Sequence, residues 1–278
     1  MSTARELFAQ EMSLPDREID LAKTALYIAQ EETPNLDIDA YLTQLDQWAQ
    51  QARSLLPEER YPLRIIQTIN QILYDELGFQ GNEEDYYDPR NSFLNEVMER
   101  RTGIPITLAL VYLEVSRRID FPMVGIGMPG HFLIRPDFEE AGIFVDAFHK
   151  GEVLFPQDCE ERLQQIFAQP VALAPEFLEA VSKRQFIARM LTNLKLIYIN
   201  QQDLNRALAV IERLLLVFPE AITEQRDRGL LSYQLGQLPQ AIADLKTYLA
   251  HYPDASDASM IQLLLSQISE QWPVTNYW

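Results

Sequence analysis

A single cysteine, Cys159, and three histidines, His131, His149 and His251, are all the thiols and imidazoles that 278 residues offer. One cysteine excludes an internal disulfide and a cysteine-rich zinc site, and no local spacing of His, Cys and acidic residues resembles a zinc signature. Positive charge is also scarce. Lys and Arg number 23 against 41 Asp and Glu, which leaves a net charge of −18. Such a surface repels phosphate backbones and anionic membranes, so neither nucleic acid nor a membrane is expected as a partner. No apolar run approaches the roughly 18 residues that a membrane span needs. The opening "MSTARELFAQEM" has no basic segment followed by an apolar one. The expectation is a cytoplasmic protein in a reducing compartment. With only 10 glycines, the one Gly-rich stretch, "GIGMPG", lacks the downstream helix and Lys of a phosphate loop, and no cofactor is expected.

Helical periodicity fills the first part. "REIDLAKTALYIAQEE", "LDIDAYLTQLDQWAQQARSLL" and "YPLRIIQTINQILYDEL" space their apolar residues for helices, with Pro62 where a missing N–H is tolerated. The acidic "QGNEEDYYDPRNS" follows as an irregular loop. Between 91 and about 155 the periods mix. "SFLNEVMERR", with Gly103 as its stop, and "IPITLALVYLEVSRRI" read as helices. The second is apolar on nearly every face and is expected at the centre of the core. Arg117 and Arg118 at its end suit the negative pole of the helix. Three short runs, "PMVGIGM", "HFLIRP" and "GIFVDAF", then predict an antiparallel meander. The fold class is α+β. The expected divisions are a helical region over 1–77, a helix-plus-sheet core over 78–165 and a helical region over 166–278.

The last region repeats itself. Aligning Ala207 with Ala241 brings Leu204 onto Leu238, Ile211 onto Leu245 and "VFPEA" onto "HYPDA", with Pro219 and Pro253 34 residues apart. That period is the tetratricopeptide pattern, with helix pairs expected over 188–217 and 222–251. Ala207 and Ala241 are the expected crossing points. Gly229 and Gly236 also fit, whereas the first copy has Lys195 and Gln202 in their places. "DASMIQLLLSQI" would cap one end. Asn193, Tyr198, Arg226 and Tyr233 are candidate residues of a concave face that binds a protein partner.

"NSFLNEVMERRTGIPITLALVYLEVSRRIDFPMVGIGMPGHFLIRP", followed by "IFVDAF", resembles the transglutaminase-like core of the SirB family. "EQRDRGLLSYQLGQLPQAIADL" resembles the repeats that follow that core. The likeness covers roughly 60 to 270. It implies a papain-like arrangement of one buried helix against an antiparallel sheet. In the wider superfamily a Cys at the start of that helix attacks an acyl group, a strand His takes its proton, and an Asp on the next strand orients the His. His131 and Asp146 match the last two. Pro105, or a near neighbour, stands where the Cys belongs, and Cys159 lies after the third strand. Thr107 and Ser92 are the remaining hydroxyls in matching segments and are poor nucleophiles without a positioned base. Tyr86, Tyr87 and Asn91 either close over the cleft or plug the edge of the core. The expected function is a non-catalytic interaction or regulatory protein with a degenerate cleft. The alternative is an acyl-transfer or hydrolytic enzyme using His131 and Asp146 with a nucleophile other than Cys. No metal site is expected.

Overall fold

Thr3 and Glu6 satisfy each other's backbone N–H groups in a capping box, and this starts α1 (Ala4–Ser13), a helix not read from the sequence. The structure, a computed structural model, describes residues 3–138 and 142–271. It divides into two units, Met1–Met190 and Leu191–Trp278.

In the first unit the three expected helical segments form. Asp20 caps α2 (Leu21–Glu32) and Asp37 caps α3 (Ile38–Leu55), while Pro62 occupies the first turn of α4 (Pro62–Asn70). Their apolar faces bury Leu26, Ile28, Leu45, Trp48, Ile66 and Ile69. Each such side chain contributes roughly 1.5–3 kcal/mol of burial. From Asn70 the helix widens into a π turn over Gln71–Glu76, which buries Ile72, Leu73 and Tyr74. The acidic loop then contributes β1 (Gln80–Gly81) and a 3₁₀ turn over Pro89–Ser92, ahead of α5 (Leu94–Arg100).

Gly103 does not stop α5. Arg101 takes the left-handed conformation there, at φ 57°. It holds that position because its guanidinium stacks over the Trp48 ring at 4.3 Å and donates to the Met98 carbonyl, 2.5 Å away. Gly103 is needed for a different reason. It lies in β2 (Thr102–Gly103), parallel to β1, and a Cβ there would come within 2.8 Å of Thr107 Oγ1. The next helix, α6 (Pro105–Arg118), is buried from Pro105 through Ser116. Arg118 at its end pairs with Asp46 and Glu114.

The meander extends beyond the three runs expected. β3 (Met123–Ile126), β4 (Leu133–Pro136), β5 (Phe144–Asp146) and β6 (Glu152–Leu154) pair antiparallel in that order. β6 has only three residues, too few for an alternating pattern to stand out. α7 (Pro156–Phe167) follows and packs Cys159 and Leu163 with Ile126, Met128, Leu133, Phe144 and Leu154.

The second unit contains the repeats. α8 (Lys183–Asn200) leads into α9 (Leu204–Val217), α10 (Ile222–Gln234), α11 (Leu238–His251) and α12 (Ala258–Gln271). Ala207 and Ala241 are fully buried. At Gly229 a Cβ would meet Leu245 at 2.9 Å, so that position admits only the smallest residue. Its counterpart Lys195 is buried instead by reaching across to Glu224 and Asp227 on α10, at 2.8 and 2.7 Å. Among the described residues no helix is long and apolar enough to cross a membrane.

Candidate functional site

The turn before β4 aims His131. Gly130 sits at φ +75°, and a Cβ there would press on Ile166 of α7 at 2.6 Å, so both conformation and space require glycine. The His131 N–H closes the turn on the Met128 carbonyl at 3.0 Å. Asp146 ends β5, the neighbouring strand, and the two side chains meet: His131 Nε2 lies 2.8 Å from Asp146 Oδ2. The imidazole is 7 % exposed and the carboxylate fully buried. With Nε2 turned to the carboxylate, Nδ1 is the ring nitrogen left to work as a base.

Two further residues complete the cluster, and sequence reasoning missed both. His149 Nδ1 is 2.9 Å from the same Asp146 Oδ2. Arg162, from α7, places NH1 3.3 Å from that oxygen and 2.7 Å from His149 Nδ1, while its NH2 binds Glu152 at 2.7 Å. The other carboxylate oxygen accepts the Phe148 and His149 N–H groups at 3.1 and 3.3 Å. Burial alone would raise the Asp146 pKa. The hydrogen bonds from His131 and His149 outweigh it and hold the carboxyl well below the usual carboxylate range. The sequence signal for His149 was its place three residues after Asp146. That spacing has meaning only because the chain turns sharply there.

The sharp turn is held from the N-terminal helices. Asn70 donates from Nδ2 to the Gly151 carbonyl at 2.8 Å, and Tyr74, on the π turn, donates to the Ala147 carbonyl at 2.9 Å. Tyr112 of α6 in turn donates to Asn70 Oδ1 at 3.0 Å. Gly151, at φ +71°, brings its backbone against Asn70, where a side chain would collide.

A cleft of about 480 Å³ opens over the cluster, lined by Tyr86, Tyr87, Pro105, Gly130, His131, Phe148, His149, Arg162 and Ile166. Pro105, the first residue of α6, therefore stands in the same cleft as His131 and brings no nucleophile. Cys159 is fully buried in the apolar cluster under the sheet, and burial together with the Asp158 and Asp146 carboxylates pushes its thiol up to about 12. Thr107 and Ser92 are not among the lining residues. The Thr107 hydroxyl donates to the Asn91 carbonyl at 2.7 Å and accepts from the Ile104 N–H at 3.1 Å. Ser92 is buried, and its hydroxyl meets no hydrogen-bond partner among the described residues. Tyr86 packs edge-on against Phe148 beside the exposed Tyr87, so both tyrosines belong to the cleft wall. Asn91 does not. It is fully buried and ties the acidic loop together through the Asp85 and Tyr86 carbonyls.

None of the four residues expected on the repeats lines the groove found in this unit. Tyr198 is buried, with the Arg206 guanidinium 5.7 Å from its ring. Arg226 pairs with Asp227 and Asp257 and stacks on Tyr248. Asn193 and Tyr233 are half-buried. The groove in this unit, about 650 Å³, is lined instead by Ile199, Gln202, Leu204, Asp227, Leu230, Leu231 and Gln234.

Comparison with known proteins finds relatives of the chain. Residues 39–192 match the transglutaminase-like superfamily and residues 194–266 match the tetratricopeptide repeat. A UPF0162 protein of Xylella fastidiosa (strain Temecula1) is 36 % identical over 264 residues, covering 93 % of each chain. One from Vibrio cholerae is 27 % identical over 268 residues, covering 95 % of this chain and 99 % of the relative. The F-box only protein 21 of Homo sapiens is 34 % identical over 149 residues, which is 51 % of this chain and 23 % of that protein. No solved structure matches.

Proposed function

We propose that this chain, which belongs to the transglutaminase-like superfamily and carries tetratricopeptide repeats behind that core, is a cytoplasmic, non-catalytic interaction protein whose cleft has lost its attacking group. The likeness to the SirB family points the same way, toward a regulatory role. The observation that carries the reading is Pro105. It lines the cleft with His131 at the start of the buried helix, where the superfamily mechanism needs a thiol. The base and its orienting carboxylate are present, and no cysteine, serine or threonine is among the described residues that line the cleft. The hydroxyl of Thr107 is committed to backbone partners, which argues against the acyl-transfer alternative. The repeats supply the contact with a partner protein, through the groove whose floor is apolar at Ile199, Leu204, Leu230 and Leu231.

The test is turnover by the full-length chain of two acyl donors, p-nitrophenyl acetate and a glutamine-bearing peptide with a fluorescent amine as acceptor. Wild type and His131→Ala should give the same rate, equal to the background of buffer with an inert protein. A wild-type rate tenfold above background that is lost in His131→Ala would refute the reading.

A further inference from the structure

His149 changes what the cluster can hold. His131 Nε2 and His149 Nδ1 lie 2.8 and 2.9 Å from one carboxylate oxygen, Asp146 Oδ2, and the three donor atoms all fall within 4.8 Å of one another. Donors at neighbouring positions around a metal with bonds of ~2.1 Å stand about 3 Å apart, so these two separations suit the edges of a coordination shell. Two imidazoles and one carboxylate suit first-row divalent ions such as Zn²⁺, Co²⁺ or Ni²⁺, and leave coordination positions free. Asp146 and His149 are presented by a turn anchored at two carbonyls, Ala147 and Gly151, and His131 by the turn that its N–H closes on the Met128 carbonyl. The two histidines border a cleft open to solvent, on a chain of net charge −18 that draws cations.

The cluster already holds one cation. The Arg162 guanidinium nitrogen NH1 is 2.7 Å from His149 Nδ1 and 3.3 Å from Asp146 Oδ2. The guanidinium thus stands beside two of the donor atoms that an ion would bind. Arg162 also has a second anchor outside, Glu152 at 2.7 Å, whose side chain is half exposed. It can withdraw onto that carboxylate without losing its salt bridge.

We propose that His131, Asp146 and His149 form a binding site for a divalent transition-metal ion, and that Arg162 competes with the ion for it. Entry of the ion transfers the proton of His131 Nε2 to solvent and moves the guanidinium toward Glu152. The inference concerns binding alone and stands or falls separately from the acyl-transfer assay.

The experiment titrates the untagged full-length chain with Co²⁺ and follows its visible absorption, with a thermal melt in parallel. Wild type should bind one ion and melt higher with it. His149→Ala and Asp146→Asn should lose the absorption band. Arg162→Met, which removes the competitor, should bind at least tenfold more tightly. A folded wild type that binds no Co²⁺ at 1 mM, whatever Arg162→Met does, would overturn the proposal for this chain. So would binding that survives unchanged in His149→Ala, because the ion would then sit on the acidic surface, and so would an Arg162→Met affinity equal to that of wild type.

Discussion

Replacing Asp146 with Asn keeps the shape of the side chain and removes its charge. The carboxylate is fully buried and is met by His131, His149, Arg162 and two backbone N–H groups. Hydrogen bonds to a charged group contribute about 1.5–3 kcal/mol each, and breaking a buried pair from one side costs about 3–5 kcal/mol. The amide still accepts from the backbone N–H groups, and Arg162 keeps Glu152, so the larger figure for the pair is the ceiling. A loss of about 3–5 kcal/mol in a unit of 190 residues lowers its melting temperature by roughly 6–20 °C. Calorimetry of variant and wild type measures the shift. The effect also has a pH sign. The folded carboxyl titrates below its unfolded value, so its contribution is fully present above about pH 4 and is lost as the pH falls through the folded value. Wild type and Asp146→Asn should therefore converge in acid below about pH 4. A variant melting within 1 °C of wild type at pH 7 would show that the cluster carries no net stabilisation and would refute the reasoning.

Two other outcomes are expected. Cys159, fully buried and with its thiol near 12, should react with a disulfide reagent at pH 8 only as fast as the protein opens. Stoichiometric labelling of the native chain within minutes would show an accessible thiol. Lys195→Met should destabilise the repeat unit by about 3 kcal/mol, because it removes the cation that Glu224 pairs with and leaves Asp227 with Arg226 alone. Its ammonium is favoured by those carboxylates against the opposing effect of burial. The lysine's contribution therefore holds below about pH 10 and fades as the pH rises further. Urea unfolding of variant and wild type at pH 7 measures the difference.

Much of the chain was legible because its signals are local. Pro219 and Pro253, spaced 34 residues apart, mark the helices on either side of them, and the unbroken apolar run after Pro105 marks a central helix. Signals that depend on contacts across the chain were not legible. Arg101 adopts a left-handed backbone because Trp48 and Phe79 lie beneath its guanidinium. Sequence reasoning instead assigned the stop to Gly103. The approach of His131 to Asp146 came from family likeness rather than from periodicity, since His131 precedes its strand. His149 had only its place three residues after Asp146 as a signal, and Arg162 had none. His149 joins the site through a turn fixed from far upstream by Asn70 and Tyr74, and Arg162 reaches it from α7.

The π turn at Gln71–Glu76 makes the cleft depend on helical phase. A π turn is what one extra residue makes of an α-helix, and each residue of a regular helix advances about 100° around its axis. That single residue sets the phase of everything after Asn70, including the direction in which the Tyr74 hydroxyl meets the Ala147 carbonyl. Asn70, just before the shift, and Tyr74, within it, grip the two ends of one turn from one continuous rod. A relative lacking the extra residue would present its Tyr about a quarter-turn away and would have to brace the cleft loop by other means. Helical phase at this point thus decides whether the Tyr74 hydroxyl can reach the turn that shapes the cleft.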